Sequence, residues 1–216
     1  MEKPEILIQT EREAVVYKPA GIATQLSDDV KGSSLESILK AELGKQEIFF
    51  PHRLDRVTRG LLIVAFDKET ASYYGEQIKN GRIEKYYICE AENTGSIDIT
   101  SLVGTHKRFI KTENGRSRIV KSGGKPSFLE IISIDPVHES KERYRVFIRL
   151  LTGRTHQIRV MLADMGIPLC GDRMYNPDPK YKDFYLEAAV LRFNDSDGKE
   201  RLIKSEYINP LTLDLI

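Results

Sequence analysis

One aspartate lies between two arginines just ahead of an apolar run. Residues 51–62 read Pro-His-Arg-Leu-Asp-Arg-Val-Thr-Arg-Gly-Leu-Leu, so Asp55 has Arg53 and Arg56 as close neighbours. Neighbouring positive charge holds a carboxylate in its ionised form, and an ionised carboxylate can act as a nucleophile toward a sugar or base carbon. The two arginines could equally steer phosphate groups toward it. A structural ion pair at the start of a strand would need the same residues, so this block alone leaves both interpretations open.

A second block combines glycine, threonine and arginine. Residues 151–160 read Leu-Thr-Gly-Arg-Thr-His-Gln-Ile-Arg-Val. Gly153 and Thr155 mark a junction between a strand and a helix, where free backbone N–H groups suit a phosphate. Arg154 and Arg159 are five residues apart and need not share a helix face, which allows one to contact RNA and the other an active site. The alternative is a capped helix that carries ordinary surface arginines.

Positive charge is concentrated in residues 104–125, although the whole chain has a net charge of only +1. Seven basic residues of this segment face one acidic residue, Glu113, which gives the segment a charge of +6 and leaves −5 on the remainder. The basic residues are Lys107, Arg108, Lys111, Arg116, Arg118, Lys121 and Lys125. Such a distribution indicates a polyanionic partner on one face. A solvated hairpin or loop would show the same charges.

Several common chemistries have no motif in this chain. It contains no Gly-x-x-x-x-Gly-Lys, Gly-x-Gly-x-x-Gly or Gly-x-Ser-x-Gly sequence. The histidines never form a His-Glu-x-x-His pair, and the two cysteines, Cys89 and Cys170, are too far apart in sequence for a metal-type pair. Zinc or nicotinamide chemistry therefore has no visible motif, whereas cofactor-free catalysis by a single carboxylate remains possible. The longest wholly apolar run, residues 61–66, is far shorter than the ~20 residues of a membrane helix, and the N-terminus lacks a signal peptide. A cytoplasmic protein is expected.

The elements that must position these residues are mostly strands that follow one another. With 216 residues, 40% hydrophobic and 30% charged, the chain has a globular composition. Strands are predicted at residues 13–17, 61–66, 85–91, 127–134, 143–151, 185–193 and 202–208. Helices are predicted at 35–43, opened by a capping box of Ser33 and Glu36, at 69–79 and at 155–165. This order predicts an α+β fold with a mixed, largely antiparallel sheet and flanking helices, in a single domain over residues 1–216 that is expected to be a monomer.

The two blocks together resemble the RluA-type family of pseudouridine synthases. The resemblance rests on His-Arg-Leu-Asp-Arg-x-Thr-x-Gly-Leu-Leu at 52–62 and Gly-Arg-Thr-His-Gln-Ile-Arg at 153–159. Three weaker features follow in the family's order: Lys-Pro-Ala-Gly at 18–21, Lys-Tyr-Tyr at 85–87 and Gly-Asp-x-x-Tyr at 171–175. The resemblance covers roughly residues 15–210 and implies a stand-alone catalytic domain without a separate N-terminal RNA-binding module. The sequence departs from the family pattern at Arg59 and Met161, which bears on substrate choice more than on activity.

The resemblance assigns roles to four residues. Asp55 matches the catalytic aspartate, which starts the detachment of uracil from its ribose so that the ring can rotate and rejoin through carbon. Tyr87 matches the tyrosine that lies against the base and removes the C5 proton; without the resemblance, a tyrosine on a strand would be interpreted as core. Arg159 matches the basic residue paired with the aspartate. Arg53 matches an arginine that takes the space left by the flipped uridine.

The resemblance implies chemistry with no cofactor and no metal, because isomerising a uridine needs no redox or metal step. It also implies an RNA substrate. The C1′ and C5 atoms of a uridine are inaccessible inside a base stack, so the base must be flipped out, and a loop or bulge uridine of ribosomal or transfer RNA is expected. The residues predicted to contact RNA are Arg53, Arg56, Arg154, His156, Gln157, Lys107, Arg108 and Lys111.

Two other functions remain as alternatives at this point. One is an RNA-binding protein on the same scaffold without catalysis, although the presence of Asp55, Tyr87 and Arg159 together argues against it. The other is a metal-dependent nuclease or phosphatase that uses Asp55. That function would need a clustered second carboxylate to hold Mg²⁺, and full activity in a chelator would exclude it.

Overall fold

The protein's computed structural model describes residues 3–26, 34–95, 97–137, 142–176 and 178–206. In chain order, the elements are β1 (Glu5–Gln9), β2 (Glu13–Lys18), α1 (Leu35–Leu43), β3 (Arg59–Ala65), α2 (Lys68–Lys79), β4 (Glu84–Glu92), a short 3₁₀ helix (Ile99–Leu102), β5 (Gly104–Glu113), β6 (Arg116–Ile119), β7 (Lys125–Pro136), β8 (Arg143–Leu150), α3 (Gln157–Asp164), β9 (Leu186–Asn194) and β10 (Glu200–Lys204). They fall into two compact units. The first lies within Met1–Glu84 and Glu187–Ile208, and the second lies within Lys85–Leu186 and Asn209–Ile216.

The first unit is a mixed sheet with helices α1 and α2. Its strands lie in the order β1-β2-β3-β9, with β10 paired to β9. All neighbours are antiparallel except β3 and β9, which are parallel. Gly60 makes the parallel contact possible, because a Cβ at this position would lie 2.3 Å from the carbonyl oxygen of Ala188. The core of this unit includes Val15, Ile63 and Tyr74, all buried.

The second unit is an antiparallel sheet in the order β4-β8-β7-β5-β6. Strands β5 and β6 form a hairpin within the basic segment, and most of their side chains are exposed. Helix α3 is short, and its first six residues, from Gln157 to Leu162, are all buried. The helix therefore carries Arg159 inside the protein rather than on its surface.

Most sequence predictions of the fold are confirmed. The α+β class and the largely antiparallel sheet are as expected, and the predicted strands and helices are present with end shifts of a few residues; the last two residues of the predicted final strand, 207 and 208, lie outside the described part. The capping box of α1 was placed wrongly. The N-cap is Ser34, and its reciprocal partner is Ser37, one position beyond the predicted Glu36. Strands β1, β5 and β6 were not predicted. None of the helices in the described ranges is long and apolar enough to cross a membrane.

Candidate active site

Asp55 lies on a loop whose backbone is held on both sides of the aspartate. Leu54 is buried, its N–H donates to the Thr24 hydroxyl at 3.3 Å, and that hydroxyl donates to the Leu54 carbonyl at 2.9 Å. On the other side, the N–H of Gly21 donates to the carbonyl of Arg56 at 2.8 Å. Asp55 itself is partly exposed. The carboxylate is thus accessible while the chain around it is fixed.

A buried lysine joins this loop to the turn at residues 18–21. The Lys18 ammonium donates to the carbonyls of Pro19 at 3.0 Å and Ile22 at 2.9 Å, with a longer contact of 3.4 Å to the carbonyl of Arg56. Burial lowers the pKa of Lys18 from 10.5 to about 8, against the opposing attraction of the Asp55 charge. Lys18 was noted in the sequence only as part of a motif, and its fully buried position gives that motif a structural role.

The two arginines beside Asp55 have different environments. Arg53 is exposed. Arg56 is also exposed, but its Nε donates to the Gly21 carbonyl at 2.9 Å. Arg56 therefore strengthens the contact between the Asp55 loop and the turn at residues 18–21. Arg53 places a positive charge on the surface of the first unit.

In the second unit, Tyr87 lies on β4 and is almost completely buried. It pairs across the sheet with Ile148 on β8. Side chains two residues apart on a strand share a face, so Lys85 lies on the same face of β4 as Tyr87. The family-derived role of Tyr87 thus belongs to a side chain that the sheet holds in place.

Arg159 is held by a buried carboxylate and two aromatic rings. It is 6% exposed, and its Nε and Nη2 donate to the two oxygens of Asp172 at 2.8 and 2.7 Å. Its guanidinium carbon lies 5.2 Å from the ring centroid of Tyr175 and 5.6 Å from that of Phe184. A bidentate pair with flanking rings fixes both the position and the plane of a guanidinium.

The segment at residues 171–175 supplies two of the groups that hold Arg159, Asp172 and Tyr175. Asp172 also accepts from the backbone N–H of Met174 at 3.1 Å, which anchors the carboxylate. Gly171 adopts φ +66°, and a Cβ there would lie 2.4 Å from the carbonyl oxygen of Lys182. The sequence identified this motif without assigning it a role, and the structure shows that it orients Arg159.

The predicted RNA-contacting residues of the second block divide into buried and exposed. Gln157 is buried; its amide accepts from the N–H of Arg154 at 3.0 Å and donates to the carbonyl of Phe128 at 2.9 Å. His156 is partly buried, and its Nδ1 lies 2.9 Å from the hydroxyl of Tyr175. Arg154 is exposed. Gln157 and His156 therefore shape the loop that presents Arg154.

The basic hairpin carries some charges that are paired and some that are accessible. Arg108 forms an ion pair of 2.6 Å with Asp164 on α3, and Lys111 forms one of 2.8 Å with Glu113. Lys107 is exposed, with its ammonium 5.2 Å from the ring centroid of Phe109. The sequence alone gave no reason to distinguish these three cations, whereas in the structure Arg108 links the hairpin to α3 through its ion pair with Asp164.

Each unit collects part of the predicted set. In the first unit, Asp55, Arg53 and Arg56 share one loop. In the second, the loop before α3 and the helix itself bring together Arg154, His156, Gln157 and Arg159, and Tyr87 lies on β4. Among the described residues, no group of three or more His, Cys, Asp and Glu side chains is arranged to hold a metal ion.

Comparisons with known proteins agree on one family. A family model described as RNA pseudouridylate synthase matches residues 13–164. A Haemophilus influenzae protein named an uncharacterized RNA pseudouridine synthase is 27% identical over 194 residues, which cover 88% of this chain and 82% of that protein. RNA pseudouridine synthase 7 of Oryza sativa subsp. japonica is 30% identical over 179 residues, covering 78% of this chain and 44% of the rice protein. The chain therefore spans less than half the length of that plant relative.

Solved structures show the same fold. The human protein named RNA Pseudouridylate Synthase Domain Containing 1 superposes with a TM-score of 0.72 at 24% sequence identity, covering 100% of this chain and 87% of that one. The human protein named RNA Pseudouridylate Synthase Domain Containing 4 also gives a TM-score of 0.72, at 18% identity. At these identities, the likeness concerns the fold alone.

Proposed function

The chain belongs to the RNA pseudouridylate synthase family, whose members are isomerases, and from that premise we propose that it converts specific uridines of RNA to pseudouridine through Asp55 without a cofactor. The reaction is an internal rearrangement. The bond between N1 and C1′ breaks, a bond between C5 and C1′ forms, the C5 proton leaves, and N1 gains a proton. Atoms and electrons balance within the nucleotide, so neither a redox cofactor nor a metal is required by the stoichiometry.

Three residues carry the proposed chemistry. Asp55 starts the detachment of uracil from its ribose as an ionised nucleophile. Tyr87 lies against the base and removes the C5 proton. Arg159 takes the family role of the basic residue that keeps the aspartate charged and oriented. Arg53 takes the space that the flipped uridine leaves.

The observation that supports this proposal most directly is the fixed loop around Asp55. Thr24 clamps the residue before Asp55, and Gly21 and Lys18 hold the carbonyl of the residue after it. A nucleophile gains rate when its geometry is set before the substrate arrives. A surface ion pair would gain nothing from such a scaffold, because exposed pairs contribute little to stability.

The proposed substrate is a uridine in a loop or bulge of ribosomal or transfer RNA. Flipping a base costs a few kcal/mol and costs least where the base is already unpaired. Arg154 and the exposed part of the basic hairpin would contact the RNA backbone, together with Arg53 and Arg56. The proposal includes a monomeric enzyme that works in the cytoplasm.

The test is a map of pseudouridines in total RNA from cells with and without this gene. One or more pseudouridines should disappear in the deletion strain and return when the wild-type protein is restored, but not when Asp55→Asn is restored. Purified protein should convert the same site in the presence of a chelator. An unchanged map with intact RNA binding would instead support a non-catalytic RNA-binding protein, and loss of activity in chelator would support a metal-dependent reaction.

A further inference from the structure

Lys85 is a mostly buried residue whose Nζ, which is not fully buried, has no partner among the described residues. It is 8% exposed, and among the described residues no side chain or carbonyl forms a hydrogen bond or an ion pair with it. Burial lowers the pKa of its ammonium. The other two buried basic residues of the described chain are compensated, since Lys18 donates to backbone carbonyls and Arg159 is paired with Asp172. A buried charge is normally paired because its desolvation is costly, so Lys85 is an exception that needs a reason.

The Lys85 ammonium lies beneath an exposed glycine. A Cβ built on Gly153 would be 3.6 Å from the Nζ of Lys85, and no other atom would be within 4 Å of it. Gly153 is exposed. No side chain of Gly153 therefore separates the ammonium from a ligand that approaches this loop.

The backbone around Gly153 offers further donors. Gln157 satisfies the N–H of Arg154, whereas the N–H groups of Gly153 and Thr155 bind no acceptor in the part of the chain that the structure describes. These groups precede α3, and unpaired N–H groups ahead of a helix attract anions. The exposed guanidinium of Arg154 adds positive charge to the same loop.

We propose that Lys85 and the loop at residues 152–156 form a binding site for a phosphodiester group of the RNA substrate. The inference rests on the proposed function and adds a substrate contact to it. An ammonium is a compact charge that suits a phosphate oxygen, and a glycine above it lets the phosphate approach the backbone closely. Lys85 shares a face of β4 with Tyr87, so the phosphate held here would belong to a nucleotide near the reacting uridine.

Replacing Lys85 with methionine tests the site, because the proposal predicts opposite effects on stability and binding. Lys85→Met removes an unpaired buried charge, so its melting temperature should equal or exceed that of the wild type. Its RNA affinity should fall roughly tenfold, and the slope of log Kd against log salt should decrease by about 0.7–0.9, the value for one lost phosphate contact. Binding would be measured with the RNA that the pseudouridine map identifies.

Two further variants make the result specific. Gly153→Ala places a methyl group against the ammonium without removing the charge, and it should weaken RNA binding while leaving the melting temperature unchanged. Lys79→Met removes an exposed lysine of α2 that is paired with Glu76, and it should change neither quantity. Unchanged affinity and salt slope in Lys85→Met would overturn the proposal, as would a loss of stability that accounts for its loss of binding.

Adding inorganic phosphate tests whether the site binds a free anion or a phosphate group of RNA. If phosphate raises the melting temperature of the wild type but not of Lys85→Met, while both bind RNA equally, the site serves a free anion and the RNA assignment is wrong. If the wild type neither binds RNA nor forms pseudouridine, the proposed function itself fails. If it does both, and Lys85→Met behaves identically, only this inference fails.

Discussion

At the residue scale, Asp172 can be compared with Asp195, a second buried aspartate that binds a different arginine. Asp172 and Asp195 are 1% and 2% exposed, and each accepts two N–H groups from one arginine and two from a turn backbone. Asp195 pairs with Arg201 in the first unit, whereas Asp172 pairs with Arg159. The two carboxylates thus have similar hydrogen-bond partners, although Arg201 is more exposed than Arg159, and only Asp172 is linked to a residue with a proposed chemical role.

Asp172→Asn should therefore lower both stability and rate, and Asp195→Asn only stability. Loss of one partner of a buried pair costs about 3–5 kcal/mol, so Asp172→Asn should lose about that much free energy of unfolding in urea. Asp195→Asn should lose less, because the Arg201 side chain is 32% exposed. Only Asp172→Asn should reduce the single-turnover rate at saturating RNA, by about tenfold or more, because Arg159 is no longer held in one orientation.

A double-mutant cycle distinguishes positioning from general damage. In the background of Arg159→Met, Asp172→Asn should cause no further loss of rate, because Asp172 acts through Arg159. Additive losses would show that Asp172 acts independently of Arg159.

Because folding lowers the pKa of Lys18, the free energy of unfolding should change with pH in the alkaline range. Folding lowers this pKa from 10.5 to about 8, so between these values the unfolded chain binds more protons than the folded one. The free energy of unfolding contributed by this group therefore rises as the pH increases through that window, and it falls as the pH drops through about 8. Lys18→Met lacks this contribution.

Urea unfolding of wild type and Lys18→Met at several pH values checks this prediction. The stability difference in favour of the wild type should grow as the pH is raised from 8 toward 10.5. A difference that is constant or shrinks over this range would mean that Lys18 keeps an ordinary pKa in the folded protein.

At the scale of elements, the β5–β6 hairpin separates its accessible cations from its structural one. Lys107 and Lys111 lie on the same exposed face of β5, where the ion pair of Lys111 with Glu113 is open to solvent, while Arg108 points to the other side and binds Asp164 of α3. Replacing Lys107, Arg108 and Lys111 with alanine should lower the salt slope of RNA binding by about two, not three.

Single replacements show which of the three residues contact phosphate groups. Lys107→Ala should reduce the slope by about one without affecting stability, whereas Arg108→Ala should leave the slope nearly unchanged. Exposed Lys79 on α2 provides the matched control, since Lys79→Ala should leave the slope as it is. An unchanged slope in the triple variant would show that the hairpin is only a solvated surface.

Elements with a clear pattern were predictable from the sequence, and those without one were not. Strand β3 is a continuous apolar run that is buried along almost its whole length, and it was predicted. Strand β1 has only five residues, of which the central three are half-buried, and it was not predicted. Charge alone could not distinguish a hairpin from a loop at β5 and β6, because most of their residues face solvent and show little hydrophobic alternation.

The candidate site likewise contains residues that the sequence predicts and residues whose roles only the structure shows. Motifs identified Asp55, Tyr87 and Arg159, but they did not assign positioning roles to Lys18, Thr24 and Asp172. Thr24 is bound to Leu54 across 30 positions of the chain, and Lys18 to Arg56 across 38. Such contacts arise from the tertiary fold and leave no periodicity or spacing in the sequence.

At the scale of the whole molecule, the residues of the proposed chemistry are distributed over two units of one chain. The chain leaves the first unit after Glu84 and returns at Glu187. Asp55 belongs to the first unit, whereas Tyr87, Arg159 and the basic hairpin belong to the second. The proposed function uses residues of both units, and the predicted effects on rate depend on Asp55 being the group that starts the reaction.

The most direct measurement is the single-turnover rate of pseudouridine formation by Asp55→Asn on the RNA that the wild type modifies. This variant keeps the size and hydrogen-bonding atoms of the side chain but cannot supply a carboxylate nucleophile. The rate should fall at least about a thousandfold, or ~4 kcal/mol of barrier, while RNA affinity and the melting temperature stay near those of the wild type. Substantial turnover by folded, RNA-binding Asp55→Asn protein would contradict the central claim.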